Sequence, residues 1–177
     1  MEREMNFYCI AVRSGMEEKY KESVQPVLEP EGPLCGTLHF LKKQMRLKNG
    51  KEYFEPFFPG YVFFETDETE PVQLKPLEKG KGFIRFLPSN QNIKPLVQND
   101  LNIVSSILSF GSAVKILSVT FDEGDRIVIL DGPFKDFSGK VVSVNRRNKR
   151  VNIDLDFMGC SRVVGLSYEI VQKVNEK

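Results

Sequence analysis

The sequence predicts an α+β protein in two parts: a ferredoxin-like βαββαβ domain followed by a small five-stranded β-barrel. Three observations predict it. Over residues 1–110, short β-rich runs and helical segments alternate in the order β-α-β-β-α-β, a split βαβ pattern. Residues 126–174 instead contain nine Val and four Ile, in short runs divided by turn residues. About five such strands without a helix suit a barrel, which closes its own edges. Between these textures the periodicity weakens over residues 110–120, and Gly111-Ser112 opens a linker. The expected divisions are 5–110 for the first domain, 111–121 for the linker and 122–175 for the barrel.

The elements follow in order. Residues 7–12 are an apolar run of β-formers and read as a buried strand. Ser14-Gly15-Met16-Glu17 has the S-x-x-E spacing of a capping box. Met16, Tyr20, Val24 and Val27 then share a helical face, and Pro26 limits the helix. A second strand reads over 37–47, and Asn49-Gly50 favours a type I′ hairpin turn. Residues 61–64 form a further strand, 71–77 a short helix ended by Gly80, and 82–87 another strand. Asn99 can cap a last helix whose Leu101, Val104, Ile107 and Leu108 share a face. The barrel strands are expected at 126–130, 139–144, 151–156, 162–166 and 169–173.

Charge narrows the function classes. The 177 residues carry 25 Lys+Arg against 24 Asp+Glu, a net charge of +1. That excludes a protein that coats nucleic acid by counterion release alone. The total conceals two clusters. Lys42, Lys43, Arg46, Lys48 and Lys51 fall within ten residues free of acid, and Arg146, Arg147, Lys149 and Arg150 fall within five. Each lies beside a turn signal and is expected at a hairpin. The longest charge-free apolar stretch, 101–114, is interrupted by Asn, Ser and Gly and is shorter than the roughly 20 residues of a membrane span. The opening MEREMNFY lacks the apolar centre of a signal peptide. Three cysteines without C-x-x-C spacing suit reduced thiols. A soluble, cytoplasmic, monomeric protein is expected, without membrane contact.

Catalytic chemistry finds little support. His39 is the sole histidine, so no His pair for a metal exists, and no thiolate cluster replaces it. The segment from Gly132 to Val141 has six residues between its glycines and Val where a phosphate loop needs Ser or Thr. Asp154 and Asp156 alternate with Ile153 and Leu155, the pattern of a solvated strand face. No enzyme activity, cofactor or metal is expected. Two aromatic segments stand out instead. Phe57 and Phe58 precede Pro59-Gly60, which turns the chain, so each is either core or the lining of an apolar depression for a partner. Phe134 and Phe137 lie in a polar loop, as plugs of the barrel end or as contact residues.

These residues carry a family resemblance. The stretch from Val128 through Asp131-Gly132-Pro133-Phe134 and Phe137 to Val141 resembles a KOW motif. Phe7-Tyr8 and Phe57-Phe58-Pro59-Gly60-Tyr61, with Gly82-Phe83-Ile84, resemble the amino-terminal (NGN) domain of the NusG family of transcription elongation factors. The resemblance implies that the first domain docks on the clamp of RNA polymerase through Phe7, Tyr8, Phe57, Phe58 and Tyr61 and promotes processive transcription. It implies that Arg13 faces non-template DNA, and that the hairpin bearing Lys42, Lys43 and Arg46 points toward DNA. It implies that the barrel recruits a ribosomal protein or Rho through Phe134, Phe137 and a later loop with Phe157 and Met158. That later loop has Met158 and Cys160 where housekeeping members usually carry Phe and Arg, which weakens the implied coupling. The basic turn of Arg146, Arg147, Lys149 and Arg150 is similar to that of specialised antitermination paralogs of the LoaP type, and four cations on one turn suit the phosphates of structured RNA.

Overall fold

The protein is described by a computed structural model covering residues 3–135, 137 and 140–171. Asp136, Ser138 and Gly139 of the KOW-like loop, and the expected strand and domain ends beyond 171, lie outside the described residues. In chain order the elements are β1 (Asn6–Val12), α1 (Glu17–Val24), a 3₁₀ turn (Gln25–Val27), β2 (Thr37–His39), β3 (Lys42–Arg46), β4 (Glu52–Pro56) and β5 (Tyr61–Thr66). A 3₁₀ helix (Pro71–Lys79) follows, then β6 (Phe83–Phe86), β7 (Pro88–Ser89), β8 (Asn92–Ile93) and α2 (Gln98–Ser109). The remainder is all β: β9 (Ala113–Val114), β10 (Leu117–Phe121), β11 (Ile127–Ile129), β12 (Val141–Asn145), β13 (Arg150–Phe157) and β14 (Cys160–Ile170).

Two compact units emerge. One holds the described residues through Leu41 together with Phe58–Leu101; the other holds Lys42–Phe57 and the chain from Asn102 on. The first unit is a four-stranded sheet in the order β2-β5-β1-β6, with every neighbouring pair antiparallel. That is the split βαβ topology the sequence predicts, with the 3₁₀ helix Pro71–Lys79 as its second crossover. Pro76 inside that helix removes an amide donor and helps keep the coil from a regular α form. Tyr8, Ile10, Val12, Val62, Phe64 and Phe86 pack with Tyr20, Val24, Leu74 and Leu77 into one core. The Tyr20 hydroxyl donates to the carbonyl of Leu77 at 2.9 Å within it.

The second unit contains a five-stranded sheet ordered β11-β10-β14-β13-β12. Its alternation places Val151, Ile153, Leu155 and Phe157 inside, with Val164, Leu166 and Tyr168 buried on the partner strand. Beside it lies a three-stranded sheet ordered β4-β3-β9.

Several local expectations are corrected. Residues 37–47 are two strands in two sheets, because the chain leaves β5 after His39 and begins pairing with β4 and β9 at Lys42. The Leu117–Phe121 strand lies inside the segment read as linker and joins β11 and β14. Its apolar residues alternate, and Leu117 and Val119 are buried. The two expected strands 162–166 and 169–173 are one long strand, β14. Ser14 does not cap α1, whose first turn has no side-chain cap. Asn99 sits in the first turn of α2, whose buried face is Ile103, Val104 and Ile107. At Asn49-Gly50 only the glycine has positive φ, and the Asn49 carboxamide accepts from the Lys51 amide, so the turn is not type I′.

Candidate nucleic-acid and partner interface

The aromatic residues divide by the pleat. Directly paired residues of an antiparallel sheet point to one face. Phe7 pairs with Glu65, Cys9 with Phe63 and Ala11 with Tyr61, so Phe7 and Tyr61 share a face. Both are half-buried. Tyr8 points to the opposite face, into the α1 core, and its hydroxyl donates to the carbonyl of Glu68 at 3.2 Å. Burial, with Glu68 and Glu70 nearby, holds its pKa above the ordinary phenol value. On the Phe7 face, the ring lies 6.2 Å from that of His39, whose Nε2 is 2.7 Å from the Glu65 carboxylate.

The Phe-Phe-Pro-Gly-Tyr turn is pinned by Glu17, which the sequence reads as the acid of a capping box on α1. Glu17 is buried, and its carboxylate accepts from the Gly60 amide at 2.7 Å. The Val12 amide donates in turn to the Gly60 carbonyl at 2.9 Å. Gly60 has φ +82°, a conformation open to glycine without steric cost. Phe58 is buried edge-on to Phe63, with ring centres 6.3 Å apart. Phe57, in the second unit, is buried and stacks on Phe134 with 5.7 Å between centres and 3° between planes. Phe134 in turn meets the half-buried Phe137 edge-on. Of the aromatics singled out in sequence, Tyr8, Phe57, Phe58, Phe134 and Phe157 are therefore packed inside. Phe7, Tyr61, Phe137 and Met158 keep accessible surface.

The basic residues divide as well. Arg13 is exposed just beyond β1, its amide tied to the Gly82 carbonyl. Lys42 is half-buried at the start of β3. Lys43 donates to the Gly165 carbonyl at 2.7 Å and sits 3.2 Å from Glu55. Arg46 pairs with Glu52 at 2.7 Å and Glu169 at 3.4 Å, while its amide donates to Ser167 Oγ at 3.0 Å. Arg150 donates to that same Ser167 hydroxyl and, at 2.8 Å, to the Arg46 carbonyl. Arg146 pairs with Asp125 at 2.7 Å and lies over the Phe121 ring at 4.1 Å. Lys43, Arg46, Arg146 and Arg150 thus serve partly as struts.

What those struts build is a groove. The Leu47–Lys51 turn and the Arg146–Lys149 turn both belong to the second unit. They line a pocket of about 390 Å³ with Arg46, Lys48, Gly50, Arg147, Asn148, Lys149 and Tyr168. A second hollow of about 490 Å³ shares Arg46, Leu47, Lys48 and Asn148 with it. No acidic residue lines either hollow. No set of His, Cys, Asp and Glu able to hold a metal occurs among the described residues.

A split βαβ sheet joined to a five-stranded Val- and Ile-rich sheet, with cations collected at its turns, defines the class as an NGN-type domain coupled to a KOW-type one. Residues 5–105 match the family model described as transcription termination factor NusG, and residues 123–154 match that of the KOW motif. The chain belongs to the NusG family of transcription termination/antitermination factors. It is 28% identical to the transcription termination/antitermination protein NusG of Thermus thermophilus, over 96% of this chain and 98% of that protein. It is 24% identical to the protein of the same name from Borreliella burgdorferi, over 95% and 98%. A solved structure described as domain interaction in Thermotoga maritima NusG superposes with a TM-score of 0.63 at 21% identity, over 93% of this chain and 94% of that one. No helix among the described residues is long and apolar enough to cross a membrane.

Proposed function

We propose that this chain is a transcription elongation and antitermination factor that docks on the clamp of RNA polymerase through its 5–110 domain and holds nucleic acid with its basic turns. The observation that carries the polymerase reading is the family match over 5–105, together with Phe7 and Tyr61 placed on the sheet face opposite the α1 core. In this reading the five-stranded sheet, which begins at Leu117, acts as a second module on the same chain, and that linkage raises its effective concentration at the transcript. Nucleic acid, RNA or non-template DNA, meets Arg13 on the first domain and the turns bearing Arg147 and Lys149. Mechanism is binding: the clamp-bound domain favours the closed, processive polymerase.

Co-purification of the full chain with core RNA polymerase tests this. The native chain is expected to bind, and Phe7→Ala with Tyr61→Ala to lose binding while keeping its circular dichroism spectrum. Equal capture of native and variant chains overturns the docking surface. A second reading, housekeeping coupling to Rho or a ribosomal protein, draws on the accessible Phe137 and Met158. The burial of Phe134 and Phe157 leaves it a smaller surface.

A further inference from the structure

We propose that the β3–β4 turn and the β12–β13 turn form a single phosphodiester-binding groove, in which Lys48 of the first turn and Arg147 and Lys149 of the second grip the same nucleic-acid backbone. The proposal rests on the nucleic-acid part of the reading above and adds its site. Sequence places the two basic clusters about a hundred residues apart and gives no reason to join them. The fold joins them through a part-buried polar junction. Arg150 donates to Ser167 and to the Arg46 carbonyl, and the Arg46 amide donates to the same Ser167 hydroxyl. The junction leaves the two turns facing one hollow.

The charges are distributed as a phosphate site requires. Arg46 is held by Glu52 and Glu169, and Arg146 is drawn to Asp125. The side chains of Lys48, Arg147 and Lys149 make no hydrogen bond or ion pair with another described residue. All three are exposed, and the hollows they line contain no carboxylate. Unpaired cations held close together without a counter-charge raise the local potential and attract polyanions. Asn148 and Asn49 add carboxamides that can donate to phosphate oxygens. The recognised feature is the backbone phosphate, shared by RNA and DNA, so the groove positions a strand and leaves base reading to other contacts.

The test is fluorescence anisotropy of the full chain against a labelled RNA hairpin and a DNA duplex of equal length, over a series of salt concentrations. Lys48→Gln, Arg147→Gln and Lys149→Gln are each expected to weaken binding and to lower the salt slope by about 0.9 for each phosphate no longer neutralised. The double variant Lys48→Gln with Arg147→Gln is expected to depart from the product of the single effects, as for residues sharing one ligand. Binding to either polymer with that pattern supports the groove, and the polymer bound more tightly identifies the source of the phosphate. If Arg147→Gln weakens binding but Lys48→Gln changes neither affinity nor slope, the shared groove is overturned while the nucleic-acid reading stands. If the native chain binds neither polymer, that reading falls with it.

Discussion

The carboxylate of Glu17 accepts a hydrogen bond from the backbone amide of Gly60 at 2.7 Å, with Glu17 only 2% exposed. The contact ties the first turn of α1 to the turn entering β5, the same turn that sets Phe58 and Tyr61. A buried carboxylate needs its partner, and a buried amide left without an acceptor costs about 1–3 kcal/mol. Glu17→Ala is therefore expected to lower the unfolding free energy of the chain by about that amount in urea titration, with Glu17→Gln losing less. A midpoint unchanged by either substitution would show that the contact does not hold the turn.

Phe58 provides a second test, in stability and not in partner affinity. Its ring is as buried as the core strands and lies edge-on to Phe63. Truncating a buried Phe to Ala costs about 3–5 kcal/mol through the transfer energy forfeited and the cavity left behind. Phe58→Ala is expected to broaden or abolish the thermal transition by circular dichroism. A chain that keeps its native melting curve would place Phe58 at a surface.

The alkaline limb of stability follows from Tyr20. Its hydroxyl is buried and bonded to the Leu77 carbonyl, and burial raises its pKa well above the ordinary value near 10. In the unfolded chain the phenol ionises near 10; in the folded chain it stays neutral to higher pH. The stabilisation is thus fully present below about pH 10 and is lost as pH rises from there toward the folded value. Urea midpoints measured from pH 8 to 11 are expected to fall at the upper end. Tyr20→Phe, which cannot ionise, is expected to start from a lower midpoint and fall less steeply.

The topology of the first sheet was legible because its signals are local. Apolar runs, Gly80 and the prolines mark the strands and crossovers, and β5 lies between β1 and β2 as a split βαβ unit requires. The β3–β4 hairpin was legible as a hairpin, but its grouping with the second unit was not. That grouping depends on Lys43 reaching Gly165 and Arg46 reaching Ser167, interactions across more than 120 positions that leave no periodic trace. Tyr8 shows the opposite case. Its place on the face away from Phe7 follows from the two-residue pleat alone, yet the motif resemblance grouped the two. The candidate residues were legible as basic and aromatic clusters; which of the basic ones are held by acids was not, because it turns on Glu52, Asp125 and Glu169.

Arg146 and Arg147 are neighbours with different surroundings, and they are expected to behave differently. Arg146 pairs with Asp125 and covers the Phe121 ring, whereas Arg147 lines the groove. Arg146→Gln is expected to leave nucleic-acid affinity within about twofold of the native chain, since its charge is already compensated, and to alter stability by about 1 kcal/mol or less, as for exposed pairs. Arg147→Gln is expected to reduce affinity more, with no change in the denaturation midpoint. Equal losses of affinity from the two variants would mean that Arg146 leaves Asp125 to meet the ligand.

The type I′ turn expected at Asn49-Gly50 occurs instead at Met158-Gly159, where both residues have positive φ, +54° and +72°, and Phe157 pairs directly with Cys160. A two-residue loop between strands twisted in the right-handed sense favours a primed turn, and the pairing of Arg150–Phe157 with Cys160–Ser167 sets it at Met158-Gly159, where a methionine takes a left-handed conformation that costs free energy. Asparagine tolerates the left-handed region far better than an unbranched apolar side chain. Met158→Asn is therefore expected to stabilise the second unit, raising the urea midpoint, while Gly159→Ala lowers it. Met158→Leu, of similar volume and no better suited to positive φ, is expected to change it little. Should Met158→Asn and Met158→Leu shift the midpoint alike, side-chain packing at Met158 governs the turn and backbone strain does not.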